Sequence, residues 1–208
     1  MVRACVAAAL VLLLGLPAAA AEVYGGWVHA DLGLDEQGDG FLLGVGGTWP
    51  IGTGPFDVAM SGELLRKHAI QPLFVGSQDQ GPVTADAEVS MTCLQATISA
   101  GWTLPVGGLG LRPYAGGGVS IKMSESWDRP AGEVAVDYGY EDVDVMVHLG
   151  LRVQTAGPIF LDGRWTRGLF DQVIVRDSSV TKVSGDAPTL PVNGDTVSWF
   201  HAAVGVAF

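Results

Sequence analysis

The residues with chemistry to offer stand on alternating positions of short apolar segments. Asp142 to Gln154 reads DVDVMVHLGLRVQ. Val143, Val145, Val147, Leu149, Leu151 and Val153 fall on one face of an extended chain, and Asp144, Met146, His148, Gly150, Arg152 and Gln154 fall on the other. The same period of two recurs along the sequence. Its polar faces gather Asp31, Asp57, Glu63, Asp144 and Asp162 against Arg112, Lys122, Arg152 and Arg164, with His29, His148 and His201 among them. Such groups can pair across a narrow interior or line a pore. Near balance of sign favours a salt-bridged plug, because a selective pore would show a ring of one charge.

Hydrolysis would need a nucleophile and a base within hydrogen-bond reach. Ser198 and His201 are the nearest candidates, yet their odd spacing sends them to opposite faces of a strand. His148 and Asp144 share a face but lie four residues apart, about 13 Å in an extended chain, too far to bond. The acids of Ser124 to Asp142 and Leu169 to Asp195 lack the D-x-D-x-D-G spacing of a calcium loop, and read as solvated, self-repelling loops. No catalytic residue, cofactor or metal ligand is assigned. Cys93, between Thr92 and Leu94 in a strand-like run, reads as a buried or lumenal free thiol.

The strands that must position these groups follow from the same alternation. Val28, Ala30, Leu32 and Leu34 oppose His29, Asp31 and Gly33, and the turn-rich DEQGDG of Asp35 to Gly40 leads to Phe41, Leu43, Val45, Gly47 and Trp49. After the breaker cluster Pro50 to Pro55, Phe56 to Leu64 alternates with Asp57, Ala59, Ser61 and Glu63 on the polar side, and a long polar stretch runs to about Glu88. Leu94 to Leu104 and Leu111 to Met123 flank the tight turn PVGGLG, and Ser124 to Glu141 reads as a charged loop. Strands at Asp142 to Gln154 and Ile159 to Gly168, a long loop from Leu169 and a last strand at Thr196 to Phe208 complete the chain. The expected fold is all-β: an eight-stranded antiparallel up-and-down transmembrane β-barrel. Short turns near residues 52, 107 and 157 opposite longer loops are the outer-membrane arrangement. Trp27, Trp49, Trp102, Trp165 and Trp199 flank the aliphatic face, where interfacial aromatics belong.

Composition agrees. Of 208 residues, 48% are hydrophobic and 16% charged, and 30 are Gly, which disfavours a charge-rich helical domain. A net charge of -11 repels phosphate backbones, so nucleic acid is not an expected partner. Mean hydropathy is +0.33, yet beyond the N-terminus no apolar run approaches the roughly 18 residues of a spanning helix. Met1 to Ala21 has Arg3, an apolar run from Cys5 to Leu16, Pro17 and a string of Ala, the order of a secretory signal peptide cleaved after Ala20 or Ala21. Residues 1–21 are read as leader and 22–208 as one barrel domain. Cys5 leaves with the leader, so no intramolecular disulfide is expected.

The last strand, TVSWFHAAVGVAF, sets Phe200, Ala202, Val204, Val206 and Phe208 on one face. It resembles the C-terminal β-signal of bacterial outer-membrane proteins, in which a final aromatic after alternating apolar residues is recognised by the barrel-assembly machinery. That resemblance marks Phe200, Val204, Val206 and Phe208 as assembly-signal residues. RPYAGGGV at Arg112 to Val119 and LDGRWTRGL at Leu161 to Leu169 are similar to the fifth and seventh strands of small OmpA-like or porin-family β-barrels. The resemblance covers nearly the whole mature chain. It implies the bacterial outer membrane, with lipids and lipopolysaccharide as surroundings and a monomeric barrel. It specifies no role, since such barrels include tethers, adhesins and small pores. No peptidoglycan-binding domain is read, so a cell-wall tether is not expected. The resulting expectation is a non-enzymatic structural or interaction barrel whose lumen is closed by Asp31, Asp57, Glu63, Arg112, Lys122, Asp144, His148, Arg152, Asp162, Arg164 and His201. A low-conductance solute pore and a soluble lipocalin-like barrel, the latter suggested by Gly25-x-Trp27, remain as alternatives.

Overall fold

A chain of period-two segments joined by Gly and Pro clusters pairs each strand with its neighbour. The computed structural model describes residues 20–31, 37–75, 83–128, 136–170, 173–178 and 197–208. In chain order the strands are β1 (Ala20–Asp31), β2 (Gln37–Pro50), β3 (Phe56–Val75), β4 (Val83–Trp102), β5 (Leu104–Val106), β6 (Leu109–Asp128), β7 (Val136–Tyr140), β8 (Val143–Gln154), β9 (Ile159–Gly168), β10 (Val173–Ser178) and β11 (Ser198–Ala207). β1, β2, β3, β4 with its short continuation β5, β6, β8, β9 and β11 form an antiparallel meander. β11 pairs back onto β1 from Glu22 opposite Ala207 to Asp31 opposite Ser198, so the eight-stranded wall is closed and has no edge there. At its short-turn end, Gly107 and Gly108 both take positive φ between the paired Val106 and Leu109, a two-residue turn that suits the twist of a hairpin.

The wall is apolar outside. Leu43, Leu149, Leu161 and Val204 are each more than half exposed, and the belt continues through Val23, Val45, Ile98, Leu151 and Val206. Phe56 and Trp102, stacked at 5.4 Å, stand near its lower rim. Trp27, Phe41, Trp165 and Phe200 stand near its upper rim. On β3 the belt runs from Phe56 to just below the exposed Arg66. Ten residue steps tilted by about 45° span about 24 Å, the height of a barrel's membrane band.

Inward glycines give the interior its packing. A side chain at Gly44 would collide with the ring of Tyr24, and one at Gly150 with the ring of Tyr114, so each large inward ring lies across a bare backbone of the next strand.

Four expectations change. β1 begins at Ala20, and its parity is the reverse of the one expected: Val28 and Ala30 are fully buried inside, whereas Trp27 points out and His29 is half-buried on that outer side. An aliphatic face points to the lipid side, but the interior is itself apolar at this height, so alternation alone does not tell in from out. The stretch after Leu64 is strand, not loop: β3 and β4 continue to Val75 and from Val83, paired throughout. There Leu65, Lys67 and Ala69 are buried while Arg66 and Ile70 are exposed, a mix that hides the pattern. β6 also runs on to Asp128, with a register shift opposite Thr92 and Cys93 that turns Glu125 inward. Finally, Trp199 lies inside the barrel, not in the aromatic rim.

Candidate functional site

Charged and histidine side chains on inward positions of β1, β3, β6, β8, β9 and β11 meet inside the wall, and they do so in levels. Nearest the short turns, Arg112 on β6 donates through Nε to Asp57 Oδ1 on β3 at 2.6 Å. Arg152 on β8 joins two carboxylates, with Nη1 2.7 Å from Glu22 Oε1 on β1 and Nε 3.1 Å from Asp162 Oδ2 on β9. Glu22 also accepts from Thr48, and the Arg152 guanidinium lies over the Phe160 ring at 4.2 Å.

In the middle, Arg164 on β9 reaches across the barrel and grips both oxygens of Glu63, with Nη1 2.9 Å from Oε1 and Nη2 on Oε2. Tyr24 donates to Glu63 at 2.5 Å, and so does Ser61 at 3.0 Å. Asp162 Oδ1 accepts from Tyr114 at 2.6 Å and lies 3.2 Å from His201 Nε2. Charges this deeply buried need such pairing, because an unpaired one would cost several kcal/mol. A pocket of about 20 Å³ lies among Glu22, Tyr24, Arg112, Tyr114, Arg152 and Asp162, room for little more than one water.

Above the charges the interior changes character. Leu42, Leu65, Met91, Cys93, Met146 and Trp199 are all at most 3% exposed, and Lys67 Nζ sits 3.5 Å from the centre of the Trp199 ring. Asp144 accepts from the Phe170 backbone and is within electrostatic reach of Lys67.

At the outer mouth, Lys122 Nζ bonds Glu125 at 2.7 Å, Asp142 at 3.3 Å and the Tyr140 carbonyl. Trp127 donates to Glu125 at 2.6 Å and stacks on Tyr140 with ring centres 6.1 Å apart. These contacts strap β7, which pairs with β10 in a separate ribbon, onto the wall. Burial, with the Glu125 charge beside it, pushes the Tyr140 hydroxyl well above its ordinary range, so it stays protonated.

Ten of the eleven expected lumen residues face this interior: Asp57, Glu63, Arg112, Lys122, Asp144, His148, Arg152, Asp162, Arg164 and His201. The side chain of Asp31 lies outside the described residues; its backbone pairs in the register of Trp27 and His29. His29 is not in the lumen, being 3.0 Å from Asp39 and stacked on Trp27. Ser198 keeps the outward register of Phe200 while His201 points in, so the two do not meet. Glu125, taken as a solvated loop acid, is buried against Lys122. Among the other loop acids, Glu133, Asp171, Asp186 and Asp195 lie outside the described residues, as do the side chains of Asp137 and Asp177.

Sequence reasoning missed Glu22, Lys67 and the hydroxyls of Tyr24 and Tyr114. Glu22 and Tyr24 had a signal, since they continue the even-numbered alternation of Val28 and Ala30 back to the start of β1. A larger depression of about 420 Å³ lies against Gly25, Leu161, Gly163 and Ala202.

A closed antiparallel meander with an aliphatic wall outside and ion pairs within has the build of a small outer-membrane β-barrel. No protein-family model matches the sequence, and no curated protein matches it either. Among solved structures, the chain is similar to Neisserial surface protein A (NspA), with 14% identity, a TM-score of 0.46, and 91% of this chain and 96% of that one covered. It is also similar to Ail, the attachment invasion locus protein of Yersinia pestis, with 9% identity, a TM-score of 0.46, and 92% and 100% covered.

Proposed function

We propose that the protein is an integral β-barrel of the bacterial outer membrane with a structural or interaction role, its lumen closed and its outer loops meeting the surroundings. The observation that carries this reading is the packed interior: the pocket among the charges holds about 20 Å³, beneath a buried apolar level. A hydrated ion needs a continuous wet path, and an apolar constriction opposes one by dewetting. The exposed aliphatic belt supports a lipid-facing wall over a soluble, ligand-binding barrel, because water would meet Leu43, Leu149 and Leu161 on every side.

Residues 1–21 act in this reading as the export leader, and outer-membrane lipids and lipopolysaccharide surround the belt. Phe200, Val204, Val206 and Phe208 all point outward, where the assembly machinery can reach them. No catalytic chemistry is assigned to the interior, whose carboxylates Asp57, Glu63 and Asp162 are spent on arginines.

Planar-bilayer recordings on the refolded protein, with fractionation of expressing cells, test the reading. The expected result is outer-membrane recovery, heat-modifiable migration and no steady conductance. Conductance like that of a general porin would make solute passage the leading function, and recovery as a soluble periplasmic protein would overturn the membrane placement.

A further inference from the structure

The middle level of the barrel holds a titratable group that its ion pairs do not use. His148 on β8 points inward and is 2% exposed, and neither ring nitrogen has a hydrogen-bond partner among the described residues. From β6, the Tyr114 ring meets it edge-on at 6.0 Å, and the bare backbone of Gly116 leaves the room in which Nε2 lies. From β9 come Arg164, Asp162 and, directly across, the unpartnered hydroxyl of Thr166. Glu63 on β3 and His201 on β11 complete its charged and titratable surroundings.

Both carboxylates within reach are already committed. Glu63 holds Arg164, Tyr24 and Ser61, and Asp162 holds Arg152 and Tyr114 and touches His201. A neutral imidazole fits this surrounding. A charged one would be a second cation beside Arg164, and the Thr166 hydroxyl could take its N–H without balancing its charge.

We propose that His148 makes the closed interior acid-labile, its protonation drawing Glu63 or Asp162 away from the arginines and loosening the middle level. The inference rests on the closed-lumen reading. In the unfolded chain an imidazole takes up a proton around pH 6.5, its ordinary value. In the folded barrel the proton enters only by breaking pairs. Below about pH 6.5 the unfolded state therefore binds more protons, and stability falls as pH falls. Of the other histidines, His201 lies in the same level against Asp162, and His29 and His68 stand outside the wall beside Asp39 and Glu88.

The test compares the unfolding midpoint of the detergent-solubilised barrel at pH 7.5 and pH 5.5, read by heat-modifiable migration, with conductance recorded at pH 7.5. The wild type should lose about 3 to 5 °C on acidification. His148→Gln and His148→Phe should each lose clearly less than the wild type, and two variants guard against one that folds poorly. A wild-type midpoint that does not move, or one that falls equally in both variants, overturns the inference and leaves the closed lumen standing. A wild type that conducts at pH 7.5 overturns the closed-lumen reading and this inference with it.

Discussion

Glu63 and Arg164 lie 101 residues apart in sequence, and neither is tolerable inside the barrel without the other. Their pairing illustrates why single changes here should cost more than the pair itself contributes. Arg164→Ala leaves Glu63, 1% exposed, with only Tyr24 and Ser61 to satisfy a full charge, and should destabilise the barrel by about 3 kcal/mol. The double variant Glu63→Leu with Arg164→Met removes both charges and should recover most of that loss. Denaturant unfolding of the refolded proteins checks both outcomes, and a double variant no more stable than Arg164→Ala would show that hydrogen bonding, not an unpaired charge, is at stake. Trp199 gives a second residue-scale prediction. In single-tryptophan variants within bilayers of brominated lipid, Trp27, Trp102 and Trp165 on the outer wall should be quenched, while Trp199 beside Lys67 should stay bright.

At the scale of the strand, the glycines divide by what faces them. Gly150 on β8 lies under the Tyr114 ring, so Gly150→Val forces that ring, and its hydrogen bond to Asp162, out of place. A loss of about 1 to 3 kcal/mol is expected, as for overpacking in a core. Gly163 on β9 faces the outer wall, where an added methyl would meet Phe200 at an ordinary 3.6 Å, so Gly163→Ala should be neutral in the same unfolding assay. The β7 strap is the other element-scale device. Because Glu125 accepts from Lys122, Trp127 and the Tyr140 backbone, Glu125→Ala should free the strap. Limited proteolysis should then cut sooner within Val136–Tyr140, with little change in barrel melting; cleavage at the wild-type rate would mean that the Trp127–Tyr140 stack alone holds it.

For the molecule as a whole, two interiors are stacked within one wall. Ion pairs fill the half nearest the short turns, apolar side chains with Lys67 and Asp144 fill the level above, and the Lys122 pairs stand at the mouth. The charged level fixes which strands face one another, since each arginine has a definite carboxylate across the lumen. The apolar level excludes water above it, which strengthens the ion pairs below. The proposed closed lumen rests on this layering, and the hairpins of β3, β4 and β6 extend well past the belt.

The sequence by itself determined the wall. Alternation at Val143 to Val153, Phe56 to Leu64, Leu94 to Trp102 and Leu111 to Val119 set strand number, turn side and, for seven of the eight strands, the inward face, because a lipid-facing surface must be apolar on every second residue. It also marked ten inward ionisable groups. Only the tertiary structure decided their partners: Arg152 joins Glu22 from a strand 130 residues away, and nothing local to either residue encodes that meeting. The structure also reversed β1, lengthened β3 and β4, and drew Trp199 and Glu125 inside. In each case the interior at that height is apolar or shielded, so the contrast between two faces that makes a strand legible in sequence is absent, and closure of the wall decides which side is in.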